Sequence, residues 1–206
     1  MPDFLYENIT QGPVVGLDEA GCGPWAGPVV AGCVWINQET FPKDLLKLIN
    51  DSKKLTGKKR DFIFESLIVL SEENICYGVG EASVVEIDQM NIRQASYLAM
   101  QRAYEKVAKV SPQWALIDGT SKPDLGVPIK PIVKGDQLSF SIATASILAK
   151  VTRDRIMEKL HDAYPEYGWA QNAGYGTRLH IEALEKYGVT DHHRKTYAPI
   201  AKLLAA

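Results

Sequence analysis

Asp18 and Glu19 stand side by side in the run Gly16-Leu17-Asp18-Glu19-Ala20-Gly21-Cys22-Gly23-Pro24-Trp25-Ala26-Gly27-Pro28, where an apolar stretch meets a glycine-rich loop. Asp118 follows Trp114-Ala115-Leu116-Ile117 and precedes Gly119, and Asp136 sits in Lys134-Gly135-Asp136 ahead of a run of small residues. Taken singly, each acid has a plain use as a solvated strand end, a turn residue or a helix cap. Taken together, carboxylates that converge on one spot repel one another, and a divalent cation relieves that repulsion. An all-oxygen set without clustered His or Cys selects Mg²⁺ or Mn²⁺ over zinc. Two such ions about 3.5 to 4 Å apart can activate a water and stabilise the leaving oxygen of an in-line displacement at phosphorus. Adjacent strand residues point to opposite faces, so Asp18 and Glu19 are expected to share a site only where the strand terminates or bulges, which the following glycines permit.

These acids need elements to carry them. Runs rich in Val, Ile, Trp or Tyr and bounded by Gly, Pro or Asp predict strands at 13–18, 28–36, 75–81, 114–118 and 129–133. The short connection between the first two implies antiparallel neighbours. Apolar spacings of three and four predict a helix over 91–109 and a longer one over 138–160, whose stripe runs Leu138, Ile142, Ala145, Ala149, Thr152, Ile156 and Leu160. Shorter helices are expected at 58–70, preceded by Thr56, and at 179–187, ended by Gly188. Stretches 119–131 and 164–176 read as irregular. The class is α/β, one central sheet of five strands flanked by helices.

With 206 residues, 46% hydrophobic and 23% charged, the chain suits one core, residues 1–206, and is short for two. The three cysteines, Cys22, Cys33 and Cys76, match no zinc spacing and no disulfide framework, which favours a reducing cytoplasm. Asp3 and Glu7 precede any apolar run, so neither a signal sequence nor a membrane span is expected. A net charge of -2 disfavours a protein that coats nucleic acid through bulk positive charge. Local basic segments remain: Lys53, Lys54, Lys58, Lys59 and Arg60, and His192, His193, Arg194 and Lys195, with a solvated helix face and a tail as their plain reading.

The segment Gly16 to Gly21 with Gly23-Pro24 and Gly27-Pro28, then Asp51-Ser52-Lys53-Lys54-Leu55, resembles ribonuclease HII. Asp118-Gly119, Lys134-Gly135-Asp136, the block from Ala145 to Asp154, and Gly174-Tyr175-Gly176-Thr177 with His180 are similar to that family's remaining blocks in the same order, from about Gly16 to Pro199. The resemblance implies a ribonuclease H-like fold whose core, residues 1 to about 160, is followed by a C-terminal helical extension that grips substrate. It implies hydrolysis of the RNA strand of RNA/DNA hybrids and cutting 5′ of ribonucleotides embedded in duplex DNA, leaving a 5′-phosphate and a 3′-hydroxyl. Carried over position by position, its catalytic and metal-binding acids are Asp18, Glu19, Asp118 and Asp136, with two Mg²⁺ or Mn²⁺ ions. Its substrate contacts are Gly21, Cys22 and Gly23, Lys53 and Lys54, and Tyr175, which packs on the sugar beside the ribonucleotide.

Position 22 departs from the family, whose triplet is Gly-Arg-Gly. Cysteine keeps the backbone groups that could read a 2′-hydroxyl but lacks a planar cation suited to phosphate. It is either inert or a reactive thiol beside metal. Ser139, Ser141, Thr144 and Ser146 are either phosphate ligands or helix packing positions. Asp154 lies roughly five helical turns beyond Asp136, which marks it as a structural ion-pair residue. Rival readings are a junction-resolving nuclease of the same fold, against which the glycine triplet and Tyr175 argue, and a noncatalytic hybrid-binding module, which has no need of the acids. A monomer suits an enzyme that embraces a duplex, and the tail at Lys202-Leu203-Leu204 gives no firm sliding-clamp motif.

Overall fold

A computed structural model describes residues 1–205. Strands β1 (Val14–Ala20), β2 (Val29–Ile36), β3 (Ile75–Ala82), β4 (Trp114–Asp118) and β5 (Ile129–Ile132) form one sheet in the order β3-β2-β1-β4-β5. The pairs β1–β2 and β2–β3 are antiparallel, as the short first connection requires, and β1–β4 and β4–β5 are parallel. The helices are α1 (Lys43–Leu46), α2 (Gly57–Ile68), α3 (Val84–Met90), α4 (Ile92–Glu105), α5 (Phe140–Ala163), α6 (Trp169–Asn172), α7 (Arg178–Tyr187) and α8 (Ala198–Leu204).

Alternation along the strands sorts the core into two layers. Val15, Leu17, Val29, Ala31 and Cys33 pack with Ala95, Ala99 and Ala103 of α4. Val34, Ile36 and Ile75 turn the other way, onto Ala145, Ile147 and Leu148 of α5, with Ile63 and Leu67 of α2 beyond. Two glycines let α5 come close: a Cβ at Gly16 would stand 2.3 Å from the backbone nitrogen of Ile142, and one at Gly32 would stand 2.5 Å from the carbonyl oxygen of Ala145. The start of α5 is thereby held against β1 and β2.

Four expectations about helices are adjusted. Helix α4 stops at Glu105, followed by a 3-10 turn at Ala108–Val110, and α3 precedes it, opened by a capping box between Ser83 and Glu86. Leu138 lies outside α5 and is 41% exposed. Residues 141–149 are all buried rather than striped, because α2 covers the side of α5 turned from the sheet. The stretch 164–176 contains a 3-10 turn, Pro165–Tyr167, and α6.

Past α5, Tyr167, Trp169, Leu184 and Ile200 cluster with Ala26 and Met157, so the C-terminal helical extension sits on the glycine-rich loop. Helix α7 is capped by the Thr177 hydroxyl and ends at Gly188, which has a φ of 82°. No helix among the described residues is long and apolar enough to cross a membrane.

Candidate active site

Strand β1 runs through Asp18 and Glu19 without a bulge, pairing Asp18 with Gly32, Glu19 with Ala31 and Ala20 with Val30. The expected break in the strand is absent. Both acids still reach one space, because the pairing of β1 with β4 stops at Leu17 and Ile117 and leaves that flank of β1 open. The space is a cleft of about 400 Å³ lined by Asp18, Glu19, Gly21, Cys22, Gly23, Lys53, Ser146, Arg153 and Tyr175.

Asp118 ends β4, and its Oδ1 accepts from the Gly135 backbone N–H at 2.6 Å, which ties it to the turn carrying Asp136. That turn is a 3-10 segment, Gly135–Gln137, entered through Lys134 at a φ of 58°. Asp136 does not cap α5; the Ser139 hydroxyl does, accepting from the Ile142 N–H. Three of the acids are shifted by burial and by their acidic neighbours. Burial raises the Asp18 carboxyl well above the usual range, and Glu19, Asp118 and Asp136 add to the effect. Burial also raises Glu19, with Asp118 contributing. Asp136 is raised to about 6 by burial, then by Asp118 and by Asp51, an acid not singled out from the sequence. Among the described residues, no three His, Cys, Asp or Glu side chains are drawn tightly enough together to hold an ion as they stand. The donor set is nevertheless all oxygen and mutually repelling, the chemistry that a hard divalent cation fits.

Lys53 lines the cleft; burial works against its charge, but Asp18, Asp136, Asp51 and Asp118 outweigh that and raise its ammonium. Lys54 instead donates from Nζ to Gln137 Oε1 at 3.0 Å, beside the Asp136 turn. Ser139, Ser141 and Thr144 are buried packing and capping groups: Ser139 and Ser141 donate to Glu7 Oε1 at 2.6 and 2.7 Å, and Thr144 donates to the Phe140 carbonyl. Of the four hydroxyl residues, Ser146 alone lines the cleft. Asp154 pairs with Lys150 at 2.6 Å, the structural role expected of it.

The glycine-rich loop is held by two arginines whose role was not read from the sequence. Arg153 donates to the carbonyls of Pro28, Ala173 and Ala26. Arg194, in the segment expected to be a solvated tail, is fully buried and donates to the carbonyls of Gly21, Cys22, Gly27 and Pro28 and to the Tyr197 hydroxyl. Gly21 has a φ of +101°, and a Cβ there would lie 2.1 Å from Arg153 Nε, so only glycine fits. Tyr175, 51% exposed, lies against the triplet: a Cβ on Gly23 would stand 3.2 Å from its Cε1. The Cys22 thiol donates to Glu19 Oε1 at 3.5 Å, and burial, followed by the charge of Glu19, pushes it up to about 12.

Tyr175 is anchored from behind. The Thr190 N–H donates to His193 Nδ1 at 3.0 Å, which leaves the His193 proton on Nε2, facing His180 Nε2 at 3.0 Å. His180 then carries its proton on Nδ1 and donates to the Tyr175 carbonyl at 2.9 Å, while Trp169 Nε1 also donates to His180 Nε2 at 3.2 Å. This assignment follows from the hydrogen-bond network and makes both rings neutral. Burial lowers both, and the neighbouring His180 helps bring His193 to about 4.

Known proteins resemble this chain in sequence and fold. The family model described as ribonuclease HII matches residues 15–200. Ribonuclease HII of Gluconobacter oxydans (strain 621H) is 48% identical over 206 residues, covering 100% of this chain and 98% of that protein. Ribonuclease HII of Wolbachia sp. subsp. Brugia malayi (strain TRS) is 47% identical over 97% of this chain and 94% of that protein. Among solved structures, ribonuclease H2 of Pyrococcus horikoshii OT3 is 28% identical with a TM-score of 0.73, covering 93% of this chain and 96% of that one. Bst ribonuclease HIII, solved in complex with Mn²⁺, shares the fold at a TM-score of 0.75 and 18% identity, covering 97% of this chain and 71% of that one. A ribonuclease H-like sheet, acids at its strand ends and full-length similarity to named relatives place the chain in the ribonuclease HII family, as a ribonuclease H endonuclease acting on nucleic acid.

Proposed function

We propose that the chain hydrolyses the RNA strand of RNA/DNA hybrids and cuts on the 5′ side of ribonucleotides embedded in duplex DNA, with Asp18, Glu19, Asp118 and Asp136 holding two Mg²⁺ or Mn²⁺ ions. The observation that carries this reading is that Asp18 and Glu19 of β1 line one cleft, and that their carboxyls and that of Asp136 in the turn before α5 are raised by burial and by neighbouring acids, Asp118 at the end of β4 among them. A fold relative solved with Mn²⁺ is consistent with that use of the acids. When bound, the ions supply an activated water and charge stabilisation for the leaving oxygen.

The chain's own residues do the rest. Lys53 places positive charge on the cleft wall for a backbone phosphate, and Lys54 adds to the field from the Asp136 turn. The backbone of Gly21, Cys22 and Gly23, fixed by Arg153 and Arg194, presents rigid groups to a ribose 2′-hydroxyl, and Tyr175 stacks beside that sugar. The water oxygen bonds to phosphorus as the bond to the 3′-oxygen breaks, leaving a 5′-phosphate and a 3′-hydroxyl. The segment from about residue 161 onward, packed on the loop through Trp169 and Ile200, grips the duplex. Clustered acids alone would equally suit a junction-resolving nuclease; the arginine-held triplet against Tyr175 favours ribose reading.

Incubation of an RNA/DNA hybrid with chelator, Mg²⁺ or Mn²⁺ tests the assignment. Cleavage is expected only with a divalent ion, and Asp18→Asn should lose at least about 10³-fold of it, as loss of a central catalytic group does, with an unchanged circular dichroism spectrum. Cleavage in chelator, or by a folded Asp18→Asn protein at the wild-type rate, would overturn it.

A further inference from the structure

A second cavity of about 410 Å³ lies on the α4 side of Glu19 and Cys22, the two residues whose side chains line both it and the cleft. Ile92, Arg93, Ser96 and Tyr97 of α4, with Thr120 and Ser121 after β4, complete its walls. None of these six belongs to the proposed catalytic or ribose-reading set.

Two observations point to a ligand there. Ser96 is 4% exposed, yet its hydroxyl has no hydrogen-bond partner, which is unusual for a buried polar group. Arg93 is oriented but unspent. Its Nε donates to the Tyr97 hydroxyl at 3.2 Å, and its guanidinium carbon lies 5.9 Å from that ring's centroid. The Tyr97 hydroxyl also accepts from the Lys122 N–H at 3.4 Å, which fixes the pair against the segment after β4. Arg93 forms no ion pair among the described residues, although an acidic site lies beside it. The first N–H groups of α4 are taken up by the Asn91 side chain, so the helix end contributes nothing.

An exposed guanidinium oriented through Nε with its terminal nitrogens free, lining the same cavity as a buried hydroxyl without a partner, offers a fork for a tetrahedral anion. Glu19, on the shared wall, repels an anion from that side and confines it to the end lined by Arg93 and Ser96. Cys22 between the two spaces carries no charge of its own at neutral pH. A strand that passes from the cleft over Cys22 brings its next backbone phosphate to this cavity.

We propose that the cavity is a subsite for one backbone phosphate of the cut strand, adjacent to the scissile one and held by Arg93 and Ser96. The inference rests on the nuclease reading above and adds a second anchoring point that sets how the strand lies across the Cys22 loop.

The test couples the side chain to a single phosphate. A DNA duplex with one embedded ribonucleotide is bound in Ca²⁺, with backbone phosphates replaced one at a time by neutral methylphosphonate, to the wild type, Arg93→Gln, Ser96→Ala and Lys53→Gln. Arg93→Gln should bind the unmodified duplex about 5- to 10-fold more weakly and show a salt slope shallower by about 0.9. One methylphosphonate next to the cut should weaken the wild type by the same factor and leave Arg93→Gln unaffected. Ser96→Ala should lose about 2- to 3-fold at that position, and Lys53→Gln should couple to a different phosphate. Effects of Arg93→Gln that add to every methylphosphonate, or unchanged binding, would overturn the subsite. Cleavage of the same duplex by the wild type in Mg²⁺ keeps the two readings apart: cutting without coupling sinks only the subsite, while absence of cutting sinks the nuclease assignment.

Discussion

Asp136 shows what assembling the acids does to the protein without metal. Its carboxyl is raised from the ordinary 3.8 to about 6 by burial, Asp118 and Asp51. A carboxyl raised in the folded state contributes stability that is complete below its unfolded value and is lost as pH rises through its folded value. In chelator at pH 8, Asp136→Asn should therefore raise the melting temperature, by about 2–4 °C for roughly 1 kcal/mol after allowance for solvent on the cleft side. The gain should shrink near pH 4, and added Mg²⁺ should stabilise the wild type more than the variant. A lower melting temperature for Asp136→Asn at pH 8 would contradict the account. Cys22 is the opposite case, a residue whose chemistry is suppressed. With its thiol pushed up to about 12 by burial and by Glu19, thiolate is scarce at neutral pH, which favours the inert over the reactive reading of this cysteine. Peroxide should inactivate the wild type no faster than Cys22→Ser; a markedly faster loss would show a reactive thiol. The placement of the four acids on strands and a turn was legible in the sequence, because such positions are local features. Arg153 and Arg194 were not, because an arginine reads as a surface charge until the distant carbonyls of Gly21, Ala26 and Pro28 that bury it are known.

The strands were legible as elements. Each apolar run bounded by Gly, Pro or Asp became a strand of the sheet, and the short first connection correctly implied an antiparallel pair. Helix α3 escaped notice although Ser83 and Glu86 spell its capping box, since seven residues carry little periodicity. Helix α5 was placed but its burial was misread, because a stripe pattern does not anticipate a second helix covering the outer face. The largest omission was the joint between loop and extension, where His180 and His193 hold Tyr175 through a directed proton arrangement. Both rings are lowered by burial, His193 to about 4. A histidine lowered in the folded state stabilises above its unfolded value, near 6.5, and that stability is lost as pH falls through its folded value. The melting temperature of the wild type should drop relative to His193→Gln between pH 6.5 and about 4, read by thermal melts across that range. A constant difference between the two proteins would show that protonation of this pair does not govern the joint.

At the scale of the whole molecule, the sheet and α5 bring residues from three distant stretches of chain to one edge, and the C-terminal helices close over the loop that joins β1 to β2. A net charge of -2 means that affinity for a polyanion must come from a few placed cations rather than from a general field. The proposed function divides the labour accordingly: acids at the strand ends and the turn before α5 for chemistry, a rigid loop with Tyr175 for the sugar, and isolated basic groups for phosphates. The most direct test of this account is cleavage of duplex DNA containing one ribonucleotide, in Mg²⁺ and in Mn²⁺, with the ends of the products identified by mass spectrometry and Asp118→Asn run alongside. The account predicts one cut on the 5′ side of the ribonucleotide, a 3′-hydroxyl and a 5′-phosphate, and no product from Asp118→Asn. A cut elsewhere, a 2′,3′-cyclic end, or full activity in Asp118→Asn would contradict it.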